Sequence, residues 1–165
     1  WNKLYKAELF KDIIFPKLYA GEDSCILTQI YASAKRIANI KGSFYNYVMT
    51  PNSLCRQAFS EKKLDNIEAG KFMYNFYFKR YPELCGFSAL HICSYAARLY
   101  CEVIGVDINI KEERLDQLIS DFNKFYNFTK NRFTRSMSSK KRIYFVELFK
   151  NSPRLCSLIY KLIYL

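Results

Sequence analysis

The sequence has 165 residues, of which 50% are hydrophobic and 18% aromatic, so it can form a core and wholesale disorder is excluded. Its net charge of +11 favours an anionic partner, either a membrane surface or nucleic acid. The six cysteines form no C-x-x-C pair, and the single histidine, His91, has no partner at a metal-ligand spacing. A zinc site is therefore not predicted, and the absence of a signal-peptide pattern favours reduced thiols in a cytoplasmic protein.

The first part of the chain is predicted to form two helices around an acidic turn. Apolar spacing indicates a helix over residues 2–13, and Pro16 prevents its continuation. A second helix is predicted over residues 24–34, after the acidic pair Glu22 and Asp23. Asp23 is a good N-cap residue, and a carboxylate at the positive end of a helix can also act as a general base at the rim of a cleft. Capping alone is the simpler alternative.

A small β element is predicted after the second helix. Residues 36–40 and 44–48 have the composition and alternation of short strands, and Gly42 interrupts them. A loop is expected to follow over residues 50–53. We group residues 1–58 as one unit.

The remainder is predicted to be helical, with residues 59–128 as a helical extension and 129–165 as a basic amphipathic tail. Within the tail, residues 129–141 are expected to form a loop. The predicted helices cover about residues 60–80, 88–104, 109–126, 142–150 and 153–165.

The basic tail suggests a surface-binding segment. Residues 129–165 contain nine Lys or Arg and one acidic residue, Glu147, so the segment carries a charge of +8. Residues 153–165 are apolar nearly all round but shorter than the roughly 20 residues needed to span a bilayer. This last helix is predicted either to lie in a membrane interface or to dock on the core.

An ordered set of short features resembles the C-terminal half of bacterial family 2 glycosyltransferases, which have a GT-A type fold. The likeness covers about residues 1–70, and residues 71–165 resemble the variable helical extension of such enzymes. The features that carry it are Trp1-Asn2-Lys3-Leu4-Tyr5-Lys6, Leu9-Phe10, Phe15-Pro16, Glu22-Asp23, Ala34-Lys35-Arg36-Ile37, Tyr45-Asn46-Tyr47 and Ser53. The expected fold class is mainly α with a small β element: the C-terminal part of an α/β GT-A type enzyme plus a helical extension.

The resemblance implies a role for each matching position. Asp23 falls on the catalytic base, which takes a proton from the acceptor hydroxyl, and Glu22 stands beside it in a supporting role. The resemblance also implies a set of substrate-binding residues near the donor–acceptor cleft, namely Trp1, Asn2, Lys3, Tyr45, Tyr47 and Ser53.

Two departures from the family pattern stand out. Many relatives have a basic residue after the second tyrosine of the Tyr-x-Tyr element, where this chain has Val48, which puts a diphosphate contact from that loop in doubt; Arg56 is an unsupported substitute. The nucleotide-binding strands and the metal-binding D-x-D element are not in these residues. Because the sequence starts at Trp1, we expect a fragment that binds no metal and is inactive alone, with Mg²⁺ or Mn²⁺ bound only by the full-length enzyme.

The resemblance implies transfer of a sugar from a nucleotide-sugar donor to a glycan or lipid-linked acceptor in cell-surface polysaccharide synthesis. The expected location is cytoplasmic, with the basic tail directing the protein to the anionic inner face of the cell membrane. The alternative is a non-catalytic helical interaction module with a membrane-directed basic tail. Nucleic-acid binding through residues 129–142 is a weaker third hypothesis.

Overall fold

A computed structural model describes residues 3–48, 59–105 and 111–164, and these residues form a mainly helical structure. Short 3₁₀ turns precede or follow several helices, at Ala7–Phe10, Glu61–Leu64, Pro82–Leu84 and Asn127–Lys130. The α-helices, in chain order, are α1 (Glu22–Ser33), α2 (Asp65–Arg80), α3 (Cys85–Ile104), α4 (Lys111–Tyr126), α5 (Arg132–Met137), α6 (Lys140–Asn151) and α7 (Pro153–Tyr164).

The central element is α3, which packs against α2, α4, α6 and α7. Its small residues, including Ala89, Ala96 and Ala97, are fully buried and let the neighbouring helices approach closely. Larger side chains from α4 and α6 fill the space around it, among them Phe122 and Phe149, whose ring centroids are 4.7 Å apart. The hydrophobic core therefore lies in the second part of the chain, and α1 joins it through α2.

Five thiols contribute to this interior. They are free and buried, at Cys25, Cys85, Cys93, Cys101 and Cys156. Burial raises the pKa of Cys93 to about 12, so its sulfur is a neutral packing group at physiological pH. The prediction of reduced core thiols holds for these five, and Cys55 lies outside the described residues.

The predicted helices of the second part are confirmed as α2, α3, α4, α6 and α7, with small differences at their ends. Asn109, predicted as the start of α4, lies outside the described residues. The predicted loop over 129–141 is wrong in part, because α5 forms there. The Asn131 side chain accepts a hydrogen bond from the Thr134 backbone N–H at 3.1 Å, and Thr134 is fully buried against Gly86.

The first predicted helix is wrong. Residues 3–13 contain one 3₁₀ turn, Ala7–Phe10, with no buried residue. A short helix is marginal in water unless an apolar face packs against the protein, and Leu4 is fully exposed.

The β element is also not seen, because residues 34–48 contain neither strand nor helix. A strand is stable only beside a partner, and no described residue pairs with this segment in a sheet. Its apolar side chains, including Ile37, Ile40, Phe44 and Val48, are exposed instead.

The C-terminal helices are packed rather than extended from the core. Val146 and Phe149 of α6 and Cys156 of α7 are buried against α3. Arg142 attaches α6 more firmly, since its Nε donates a hydrogen bond to Ser94 Oγ of α3 at 2.8 Å. One prediction for the last helix, docking on the core, is confirmed, and the other, a position in a membrane interface, stays a prediction.

Candidate functional site

The turn that places the acidic pair depends on a glycine. Gly21 has φ +84°, in the left-handed region, and an added Cβ would lie 2.8 Å from the Cβ of Ala69 on α2. Both the backbone conformation and the close approach favour glycine at this position. Gly21 is the N-cap of α1, and the helix begins at Glu22. The prediction that Asp23 caps the helix is therefore wrong, because the chain enters the helix two residues earlier.

Asp23 lies in the first turn of α1, near the positive end of the helix. Its Oδ1 accepts a hydrogen bond from the backbone N–H of Ser24 at 2.7 Å, which holds the carboxylate beside the turn. The residue is exposed, so a ligand can reach it. A carboxylate held in this way can accept a proton from a bound hydroxyl group.

A cavity of about 200 Å³ brings Asp23 together with the N-terminal segment. Lys3, Tyr5 and Asp23 supply its polar groups, and the α1 side chains Ile26, Leu27 and Ile30 supply its apolar wall. Burial raises the pKa of Tyr5, and the electrostatic influence of Tyr31 and Asp23 raises it further. The cavity thus combines the Lys3 ammonium, the Tyr5 phenol and the Asp23 carboxylate with an apolar wall.

The N-terminal segment is held on α1 by one buried side chain, Gln29. The Ile14 backbone N–H donates to Gln29 Oε1 at 3.0 Å, and Gln29 Nε2 donates to the Ile14 carbonyl at 2.9 Å. Phe10 packs between Tyr5 and Phe15, with ring centroids 5.6 Å and 6.4 Å away. These contacts fix the position of Tyr5, and with it one side of the cavity.

A second cavity, of about 480 Å³, lies between the N-terminal segment, α1 and α2. Gln29 lines this second cavity, together with the acidic Asp12 and the basic Arg80. Arg80 packs over the Phe76 ring at 4.9 Å from its centroid. Gln29 and Ile14, which bond to each other, therefore both line the second cavity.

The predicted site residues divide into three groups. Lys3 and Asp23 line the same cavity, as the resemblance implies for a cleft. Glu22, Tyr45 and Tyr47 are exposed and line neither cavity. The rest, Trp1, Asn2, Ser53 and the substitute Arg56, lie outside the described residues.

Sequence reasoning assigned no role to Tyr5 and Gln29. Tyr5 is part of the N-terminal motif, so its proximity to Lys3 was a usable signal. Gln29 gave none, because a polar residue beside the apolar stripe of α1 is normally solvated. Its role depends on a contact 15 residues away along the chain.

Among residues 3–48, 59–105 and 111–164, no group of three His, Cys, Asp or Glu side chains is arranged to hold a metal ion. The cavity, with one carboxylate beside an ammonium, does not resemble a divalent-cation site.

Comparison of the chain with protein-family models, with curated proteins and with solved structures gave no match.

Proposed function

We propose that this chain is the acceptor-side part of a glycosyltransferase that resembles family 2 enzymes. The observation that carries the proposal is the cavity shared by Lys3 and Asp23. These residues belong to two separate pieces of the family-like pattern, 20 positions apart in the sequence. A chance likeness gives no reason for the two pieces to meet at one cavity.

The proposed reaction is transfer of a sugar from a nucleotide-sugar donor to a glycan or lipid-linked acceptor in cell-surface polysaccharide synthesis. Asp23 accepts the proton of the acceptor hydroxyl, whose oxygen attacks the anomeric carbon of the donor. The bond from that carbon to the leaving diphosphate breaks, and the anomeric configuration is inverted. Lys3 contributes positive charge at the cavity. Tyr5 and the apolar wall of the cavity orient the sugar ring that binds there.

The exposed segment over residues 34–48 supports the same proposal. Ile37, Ile40, Phe44 and Val48 present apolar side chains to solvent without a strand or helix to organise them. Exposed apolar side chains along one short segment are available to a partner that covers them. In a GT-A type enzyme this face would meet the nucleotide-binding half, which would bind the donor and, with it, Mg²⁺ or Mn²⁺.

The test is a transfer assay on the complete gene product that contains this chain. A panel of radiolabelled nucleotide-sugars is offered with lipid-linked glycan acceptors, and kcat is measured at saturating donor and acceptor. Asp23→Asn keeps a hydrogen-bond acceptor for the Ser24 N–H but cannot take the proton, so kcat is expected to fall by about 10²–10⁴-fold. Glu22→Gln, beside it and outside the cavity, is the matched control and should change kcat far less. Full activity of Asp23→Asn would overturn the assignment.

The second candidate is a non-catalytic helical interaction module. The exposed apolar side chains of α7 favour it, because a catalytic role for Asp23 does not require them. An absence of transfer from every nucleotide-sugar in the panel, by a folded complete protein, would favour this candidate over the enzyme.

A further inference from the structure

Helix α7 has an apolar face on each side. Its inward face packs on the core through Cys156 and Ser157, which are buried, and through Tyr160. Its outward face carries leucines whose exposed fractions are 48% at Leu155, 61% at Leu158 and 86% at Leu162. Their spacing of three and four residues places them in one row along the helix. We call Leu155, Leu158 and Leu162 the leucine row.

A leucine row of this kind is costly to leave in water, because exposed apolar side chains gain free energy when they are covered. Packing on the core does not explain the leucine row, because the opposite side of α7 makes the contacts with the core. No helix in the described part of the chain is long and apolar enough to cross a membrane. A helix with an exposed apolar row beside basic side chains can lie in the plane of a membrane surface.

The charge around the leucine row identifies what covers it. Arg154 and Lys161, seven residues apart, lie on one edge of the row by the helical period. The segment 129–165 has nine basic residues and one acidic residue, Glu147. The Glu147 carboxylate is occupied within the fold, because it forms an ion pair with Arg135 and accepts a hydrogen bond from the Tyr126 hydroxyl at 2.6 Å. The charged side chains of α7 itself, Arg154 and Lys161, are therefore both cations at the edge of the leucine row.

We infer that the leucine row of α7 inserts into the surface of an anionic lipid bilayer, with Arg154 and Lys161 at the headgroups. An anionic interface satisfies both observations, since it buries the leucines and attracts the cations. A second copy of this chain fits poorly, because it would bring two basic surfaces together. The inference concerns α7 alone and does not depend on the proposed transfer reaction.

The first test is co-sedimentation with vesicles of phosphatidylcholine alone and of phosphatidylcholine with phosphatidylglycerol. The wild-type chain is expected to bind the anionic vesicles and to bind the neutral ones much more weakly. A triple variant, Leu155→Gln with Leu158→Gln and Leu162→Gln, should lose about threefold to tenfold in affinity for each leucine removed, because each leucine is only partly exposed before insertion. Glutamine preserves helix propensity, and circular dichroism checks that the variant is folded.

A matched control replaces an apolar side chain elsewhere that is equally exposed. Phe78 of α2 is 65% exposed, and Phe78→Gln should leave vesicle binding unchanged. The contribution of charge is tested with two double variants. One combines Arg154→Gln with Lys161→Gln, and the control combines Lys17→Gln with Lys79→Gln. The first double should weaken binding by about fivefold per charge at low salt, and the second should have little effect. Equal binding by the triple leucine variant and wild type would overturn the inference.

A second test reports insertion directly. Leu158→Trp places an indole in the leucine row, and brominated lipids quench a tryptophan that enters the acyl region. Its quenching should exceed that of Phe78→Trp, with the signal of native Trp1 common to both. Sedimentation equilibrium without lipid tests the competing explanation, which is that the leucine row binds a second copy of the chain. A dimer that the triple leucine variant abolishes would show that the row is a self-interface and would overturn the membrane assignment.

Discussion

The ammonium of Lys63 and the carboxylate of Glu102 form an ion pair of 2.8 Å inside the protein, with only 8% and 13% of their side chains exposed. Lys63 belongs to the turn that leads into α2, and Glu102 lies in the last turn of α3. Glu102 also pairs with Arg98 at 2.9 Å and lies 3.5 Å from the Tyr160 hydroxyl of α7. One carboxylate thus connects three elements of the fold.

Glu102→Gln is expected to destabilise the protein by about 3 kcal/mol, because neutralising one partner of a buried ion pair removes the attraction while the other charge stays buried. Urea unfolding followed by circular dichroism measures the loss. Glu61→Gln is the matched control, since Glu61 forms an ion pair with Arg114 at 2.8 Å but is 50% exposed. The control should cost less than about 1 kcal/mol. Equal losses in the two variants would mean that burial of the Lys63–Glu102 pair has no energetic consequence.

Gly70→Ala should destabilise the protein even though alanine favours a helix more than glycine does. Gly70 is buried in α2, and an added Cβ would lie 2.5 Å from Cγ1 of Ile92 on α3. Relieving that overlap requires α2 and α3 to separate, at a cost of about 1–3 kcal/mol. The stability of Gly70→Ala is measured by thermal unfolding and compared with that of Asn75→Ala, since Asn75 is exposed on the same helix. Asn75→Ala should be neutral or slightly stabilising, and a stabilised Gly70→Ala would contradict the close packing.

The stability of the protein should fall between about pH 6.5 and pH 4 partly because of His91. Burial and the positive charge of Arg142 lower the pKa of His91 from 6.5 to about 4 in the folded state. Its Nε2 donates to the Asn66 carbonyl at 3.1 Å, which fits a neutral ring. Above the unfolded pKa the ring is neutral in both states. As the pH falls below it, the unfolded chain binds the proton first, so stability is lost until the folded pKa is reached.

Because the pKa of His91 is lowered from 6.5 to about 4, the loss of stability expected from this residue is on the order of 3 kcal/mol. His91→Gln retains a donor for the Asn66 carbonyl but cannot titrate. Urea unfolding near pH 7 and near pH 4.5 should therefore show a smaller drop for the variant than for wild type. An identical drop in both proteins would assign the acid sensitivity to other groups.

Gln29→Leu should release the N-terminal segment from α1 while the helical core remains folded. The substitution removes both hydrogen bonds to the Ile14 backbone at a buried position. Amide hydrogen exchange should accelerate at Ile14 and over residues 7–15, and not in α3. Ser33→Ala is the control, because the Ser33 hydroxyl bonds only to a carbonyl of its own helix, that of Gln29, at 3.1 Å. Unchanged exchange at Ile14 would show that other contacts hold the segment.

Local sequence signals predicted α1 and the helices around α3 well, and residues 3–13 and 34–48 poorly. In α2, α3 and α4, apolar periodicity agrees with the packing, because each helix buries one continuous face. Residues 3–13 have a similar spacing, but Gln29 fixes Ile14 and the segment buries no face of its own. A contact between distant residues overrides local preference there.

The candidate site was predictable in part. Family-like spacing pointed to Asp23 and Lys3, and the structure brings both to one cavity. The N-cap was misplaced because the left-handed conformation of Gly21 is set by contact with Ala69, which local sequence does not reveal. The packed form of the C-terminal segment depends on Val146, Phe149 and Cys156 reaching α3, and composition alone could not distinguish it from a basic tail.

The buried thiols can be used to detect transient opening between the helices of this protein. Cys93 and Cys101 lie on α3, and Cys156 lies on the face of α7 that packs against it. A contact with Cys156, together with burial, raises the pKa of Cys101. An alkylating reagent can reach these sulfurs only when a helix has moved away. The order in which they are modified, read by mass spectrometry over time, would map which helix detaches first and how often.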